Sequence, residues 1–180
     1  MKRLLATSLC LLSLFSCTFR NVNKTLSDIE SYIMERPDSA LAMLESIDRG
    51  NLGTARIKAH HALLYAMALD KNYIDVTEDS IAKVATEYYL KHGPRRNYAR
   101  ALYYLGKSYY YNEEYDKAIL EYSKAEKVAE VSDSLYLGMI KVAQSDTYNN
   151  TYNSIEELNC CIDGLKIFID IGAQKYLRST

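Results

Sequence analysis

The chain of 180 residues contains no tryptophan, 2 prolines and 7 glycines. Because proline and glycine interrupt regular secondary structure, their scarcity predicts long unbroken elements and excludes collagen-like and linker-type sequences. Charge of neither sign dominates, since 22 basic and 23 acidic residues give a formal net charge of −1. This balance provides no electrostatic basis for binding nucleic acid, so no nucleic-acid partner is expected.

Groups that commonly carry catalysis or bind metals are also few. The 3 histidines include His60 and His61, which a helix directs about 100° apart, with no carboxylate or thiol one turn further on. Cys160 and Cys161 are neighbours in an apolar helical stripe, where cysteine packs as a small apolar residue; a redox pair is the alternative. No glycine-rich phosphate loop and no Gly-x-Ser-x-Gly motif occurs. We therefore expect no enzymatic activity, no cofactor and no metal site.

The residues that are abundant favour a helical globular protein. Hydrophobic residues make up 48% of the chain and charged residues 25%, and there are 17 tyrosines against 3 phenylalanines. Tyrosine suits half-buried positions, because its ring is apolar and its hydroxyl can stay hydrated. Apolar residues recur at three- and four-residue steps through most of the chain, which predicts an all-α fold.

The first residues have the pattern of an export signal. Two basic residues precede the apolar run 4–15, which is too short to span a bilayer as a helix. The run leads into the letters LFSC at positions 14–17, which resemble the lipobox of bacterial lipoproteins. The resemblance implies that residues 1–16 are a signal peptide and that the Cys17 thiol is lipidated, anchoring the chain in the bacterial cell envelope. An ordinary secretory signal is the alternative.

Residues 17–24 are interpreted as a lipidated tether. In the lipoproteins of Gram-negative gut anaerobes that this chain resembles, an acidic cluster just after the cysteine tends to mark export to the cell surface. No acidic residue occurs at positions 18–24. The resemblance therefore favours a periplasm-facing position at the outer membrane.

Residues 99–132 carry the most specific motif. Gly106 and Ala118 lack bulk, so two helices can approach closely at these positions, while Tyr109 and Tyr122 fill the space beside the contact. The segment resembles the tetratricopeptide repeat (TPR), a helix–turn–helix unit of about 34 residues. The seven matching positions are Leu105, Gly106, Tyr109, Tyr115, Ala118, Tyr122 and Ala125.

By this resemblance, residues 25–172 form a TPR-like solenoid of stacked antiparallel helical hairpins, and residues 173–180 begin a further, truncated repeat. Ser27 and Glu30 have the spacing of a capping box, and Pro37 is placed to open the next helix. The last repeat is degenerate, because Tyr109 and Tyr148 are 39 residues apart, as are Ala125 and Gly164. Its second helix carries the apolar stripe Ile155, Leu158, Ile162, Leu165 and Phe168.

In the TPR family, partners lie in the concave groove lined by the first helix of each repeat. The matching positions form one stripe, separate from the core positions of the hairpin. The resemblance implies a groove for a protein or peptide partner centred on Tyr103, Lys107 and Tyr110, since tyrosine and arginine are frequent at binding hot spots. The alternative is that a neighbouring repeat or a second copy covers this face. The five positions are Arg100, Tyr103, Lys107, Tyr110 and Tyr111.

Three functions are compatible with these features. The favoured one is a membrane-anchored lipoprotein whose repeats act as a non-catalytic protein–protein interaction module. The second is the sensory or regulatory input portion of a signalling system. The third is a glycan-capture lipoprotein, which the short chain and the absence of tryptophan, a frequent sugar platform, disfavour.

Overall fold

A computed structural model describes residues 22–129 and 133–172, and these residues form eight α-helices and no strand. Neighbouring helices pack in a repeat-like arrangement, which confirms the predicted all-α fold. The predicted signal peptide at residues 1–16, the predicted lipidation site Cys17 and residues 173–180 lie outside the described residues. The helices are α1 (22–32), α2 (Pro37–Ser46), α3 (Ala55–Lys71), α4 (Asp79–Lys91), α5 (Arg95–Tyr111), α6 (Tyr115–Ala129), α7 (Ser134–Asn150) and α8 (Ser154–Asp170).

The chain divides between Ile74 and Asp75 into two compact units, and the first contains α1 to α3. Pro37 is the first residue of α2, as predicted, because its missing N–H is one that a helix start leaves unused. The predicted capping box at Ser27 is wrong, since α1 has already begun there. Ser27 Oγ instead donates to the carbonyl oxygen of Asn23, 3.1 Å away and one turn back.

Two adjacent histidines on α3 hold the first unit together in different ways. His60 Nε2 lies 3.0 Å from a carboxylate oxygen of Glu30 on α1. His61 is 4% exposed, and its Nε2 lies 3.1 Å from the carbonyl oxygen of Leu44 on α2. Burial lowers the pKa of His61 below its ordinary 6.5, so the neutral ring is the form that the fold accommodates.

The lowered pKa of His61 makes the first unit sensitive to acid. Below about pH 6.5 the unfolded chain takes up a proton on His61 that the folded chain resists, so the free energy of unfolding falls as the pH falls. We expect the loss of stability between pH 7.5 and 5 to be smaller in His61→Gln than in the wild type, measured by urea unfolding. The control substitution is His92→Gln, at an exposed histidine of the second unit.

The second unit contains α4 to α8, and the α5–α6 hairpin in it is built on the close contact that the motif predicts. A Cβ placed on Gly106 of α5 would lie 2.6 Å from Cδ1 of Tyr122 on α6. Tyr122 is 1% exposed, and Ala118 and Ala125 are fully buried, each at 0%. The small residues therefore let α6 approach α5, and the tyrosine ring closes over the glycine.

The α7–α8 hairpin makes its closest contact at a different place. A Cβ on Gly138 of α7 would lie 2.9 Å from Cδ1 of Phe168 on α8, and Gly164 lies against Lys141 and Val142. The buried line of α8 consists of Cys160, Gly164 and Phe168. The apolar stripe noted on this helix therefore contributes only Phe168 to the buried line, because its other members, Ile155, Leu158, Ile162 and Leu165, are exposed.

The Gly106 contact predicts that Gly106→Ala destabilises the protein, whereas helix propensity alone predicts that it stabilises it. Gly106→Ala in an exposed helix would stabilise by about 1 kcal/mol. Here the added methyl group meets the buried Tyr122 ring, so we expect a net loss of about 1–3 kcal/mol in the free energy of unfolding. The second change in Gly106→Ala/Tyr122→Leu should relieve the clash. A stabilised Gly106→Ala variant in denaturant unfolding would contradict this packing.

Candidate functional site

The five predicted groove residues lie on the part of α5 that faces α7. Both helices belong to the second unit, in which α5 and α7 are each the first helix of a hairpin. The structure divides the five residues into two groups. Arg100 and Tyr103, in the first half and at the middle of α5, contact α7 and its N-cap residue. Lys107, Tyr110 and Tyr111, near the end of α5, stay half-buried.

At the first group, which we call the sealed end, one carboxylate joins the two helices. Asp133 Oδ2 accepts a hydrogen bond from Arg100 Nε at 2.7 Å. Its other oxygen accepts from the backbone N–H of Tyr136 at 3.4 Å, which caps the first turn of α7. The pKa of Arg100 lies above its ordinary value: burial opposes this, and Tyr136 and Asp133 outweigh burial.

Tyrosines fill the space behind this ion pair. Tyr103 is 5% exposed, and its ring makes an edge contact with Tyr136, 5.7 Å between centroids. The hydroxyl groups of Tyr104 and Tyr136 lie 2.9 Å apart, within hydrogen-bond distance. The guanidinium carbon of Arg100 is 4.6 Å from the centre of the Tyr136 ring. At Arg100 and Tyr103, therefore, a neighbouring hairpin covers the face, which is the alternative to partner binding given for this face in the sequence analysis.

The second group, which we call the open end, combines a cation with two half-buried tyrosines. Lys107 Nζ lies 5.4 Å from the ring centre of Tyr111 and 6.0 Å from that of Tyr103. The Tyr110 ring makes an edge contact with Tyr111 at 5.7 Å. Its hydroxyl oxygen accepts a hydrogen bond from Nδ2 of Asn150 on α7 at 3.0 Å. Aromatic faces and hydrogen-bonding groups are thus presented side by side.

Two residues of α7 complete the open end, and the sequence reasoning did not name them. They are Asn150 and Asp146. Asp146 is exposed as a residue, but burial around its carboxylate raises the pKa, and the nearby Lys107 cation partly offsets that rise. The signal for both was present in the 39-residue offset between the last two hairpins, since 107 + 39 = 146 and 111 + 39 = 150.

The remaining candidates for chemistry are separate side chains. Within the described residues, no group of three His, Cys, Asp or Glu side chains is placed to hold a metal ion. Cys160 is buried and Cys161 exposed, and burial raises the pKa of the Cys160 thiol. The raised pKa disfavours the reactive thiolate form of Cys160, which therefore has the character of a packing residue.

No protein-family model matches the chain, and no curated protein matches it significantly. In the parts of the chain that the structure describes, no helix is both long enough and apolar enough to cross a membrane.

Alanine substitutions at the sealed end and at the open end should differ in their effect on the free energy of unfolding. Tyr103→Ala removes a buried ring with aromatic neighbours on three sides, so we expect a loss of about 3 kcal/mol or more in the free energy of unfolding. Tyr110→Ala should lose about 1 kcal/mol, since its ring is half-buried and its hydroxyl bond is exposed. Urea unfolding of the two variants measures the difference, and equal losses would contradict the division of the face.

Proposed function

We propose that this chain is a lipid-anchored, non-catalytic interaction module of the TPR type, which binds a protein or peptide partner through the open end of the α5–α7 face. The observation that carries the proposal is the grouping of Lys107, Tyr110 and Tyr111 with Asp146 and Asn150. These side chains offer rigid aromatic area, one cation, one carboxylate and one amide on a surface that the hairpins leave half-exposed.

The composition of the open end supports a peptide more than a simple anion. Lys107 favours a carboxylate or another acidic group on the partner. The Asp146 carboxylate and the Lys107 cation lie close enough to interact. A fully acidic partner is therefore repelled by Asp146 as well as attracted by Lys107. A peptide segment can satisfy both residues, because its acidic group can pair with Lys107 while a neighbouring hydrogen-bond donor, such as a backbone N–H, meets Asp146. Tyr110 and Tyr111 supply the apolar contact area on which hot spots depend.

The TPR assignment is supported by the packing at the motif residues. Gly106, Ala118 and Ala125 are buried at the α5–α6 contact, and Tyr122 lies against Gly106. These are the positions at which the family requires small and aromatic side chains. These four matching residues therefore lie where the repeat's packing needs them.

Partner capture tests the proposed face. Tyr110→Ala with Lys107→Ala should weaken capture from solubilised membranes by about tenfold or more, as the loss of hot-spot contacts does. The matched control is Tyr98→Ala, which removes another half-buried tyrosine of α5 on a different side of the helix. Melting temperatures of all variants are measured in parallel. Undiminished capture by the double variant, at unchanged stability, would remove the case for this face.

Cys17 is the proposed anchor, on the basis of the lipobox pattern alone. Cys17→Ala should move the protein from the membrane fraction to a soluble or unprocessed form, because the lipid-bearing thiol is lost. Fractionation of cells followed by mass measurement of the mature N-terminus reads the result. Cys161→Ala is the control, since its thiol lies outside the signal region. Unchanged fractionation of Cys17→Ala with normal cleavage would exclude the anchor.

A further inference from the structure

The turn between α4 and α5 exposes seven consecutive residues, 90–96, to solvent. This segment, which we call the basic turn, contains Lys91, Arg95 and Arg96 and no acidic residue. The surrounding stretch 88–112 also lacks aspartate and glutamate, although the chain as a whole has a formal net charge of −1. Positive charge is therefore concentrated where α4 ends and α5 begins.

The cations of the basic turn are not used inside the protein. None of the ion pairs among the described residues includes Lys91, Arg95 or Arg96, whereas Arg100 one turn further on is held by Asp133. Arg95 and Arg96 are also the first two residues of α5, where the partial positive charge of the helix terminus disfavours cations. Neither ion pairing nor the helix dipole accounts for these arginines, so their charges are available to an anionic partner.

Glycine and proline fix the shape of the basic turn. Gly93 has a φ of 89°, in the left-handed region, and a Cβ placed on it would lie 3.1 Å from Cδ1 of the Tyr89 ring. Pro94 follows and directly precedes α5. The cations on both sides of this turn are thus presented by a backbone that the local sequence restrains, and binding need not order it first.

One apolar residue indicates which kind of anionic partner fits. Leu90 is 59% exposed and is followed directly by Lys91. An exposed aliphatic side chain among basic residues suits an anionic bilayer, because the cations attract headgroups while the apolar side chain enters the boundary with the acyl chains. An acidic peptide would instead need walls that enclose it. A turn in which all seven residues are exposed provides none, whereas a flat bilayer can contact them together.

We infer that the basic turn binds the surface of a bilayer that contains anionic phospholipid, with its three cations at headgroup phosphates and Leu90 at the boundary with the acyl chains. Each basic residue near such a surface strengthens binding about fivefold, so three together supply about a hundredfold. A contact of this strength is reversible and orients a protein that another attachment keeps at the membrane. The inference goes beyond the proposed function and depends neither on the open end nor on the Cys17 anchor.

Binding to phospholipid vesicles, measured by flotation, tests the inference. The protein is the full chain with Cys17→Ala, so that no lipid on the protein contributes. Vesicles of phosphatidylcholine alone measure any binding by the apolar run 4–15, and vesicles with about one third phosphatidylglycerol add the anionic surface. We expect binding about tenfold stronger to the anionic vesicles at low salt, with the difference largely lost at about 0.5 M NaCl, because salt screens exposed charges.

Charge reversal separates the basic turn from the net charge of the chain. Arg95→Glu with Arg96→Glu should remove the preference for anionic vesicles, while the melting temperature stays equal or rises, since acids are favourable at a helix start. The matched control is Lys117→Glu with Lys166→Glu, which changes the net charge equally at two exposed lysines outside the basic turn and should keep the preference. Leu90→Ser should weaken binding to anionic vesicles about threefold and keep its salt dependence.

The alternatives to a bilayer are outcomes of the same assay. Equal binding to the two kinds of vesicle, or equal losses in the two double variants, would overturn the inference. Capture of a glutamate-rich peptide that the double arginine variant loses, without preference for anionic vesicles, would overturn it in favour of an acidic protein. Inorganic phosphate should displace the vesicles no better than NaCl of equal ionic strength, and stronger displacement would overturn it in favour of a site for free phosphate.

Discussion

The second unit depends on how closely two helices can approach at a residue without a side chain. At Gly106, the backbone of α5 is covered directly by the Tyr122 ring, and the neighbouring alanines of α6 keep the rest of the contact narrow. This approach positions α5 relative to α6, and α6 in turn packs against α7. The α5–α7 face, with its sealed and open ends, therefore takes its geometry from a contact on the other side of α5.

The same constraint is met differently in the α7–α8 hairpin. Gly138 receives Phe168, and Gly164 brings α8 against the backbone region of α7. Where the α5–α6 hairpin has Gly106, this hairpin has Ser145, whose hydroxyl donates to the carbonyl oxygen of Glu157 at 3.0 Å. The close contact has moved along the hairpin, which explains why the last repeat resembles the motif weakly and yet packs as a hairpin.

The sequence predicted those features that local sterics determine. The resemblance to the TPR motif placed Gly106 and Tyr122 at one helix contact, and Pro37 could be placed because its ring fixes a helix start. The burial of Tyr103 could not be predicted in the same way, since it depends on Tyr136, which lies a full repeat downstream. Periodicity also could not decide which of two apolar faces of α8 meets α7, because the decisive residue, Gly164, resembles a helix breaker when read without its neighbours.

The Asp133 carboxylate serves two structures with its two oxygens. One oxygen caps the first turn of α7, and the other accepts the hydrogen bond from Arg100 of the preceding hairpin. In stacked repeats, stability is the sum of what each repeat contributes alone and what it gains from its neighbour. Asp133 contributes to both terms at once, so fraying at the start of α7 would also break its ion pair with Arg100 of α5. A single side chain thereby increases the cooperativity with which adjacent hairpins unfold.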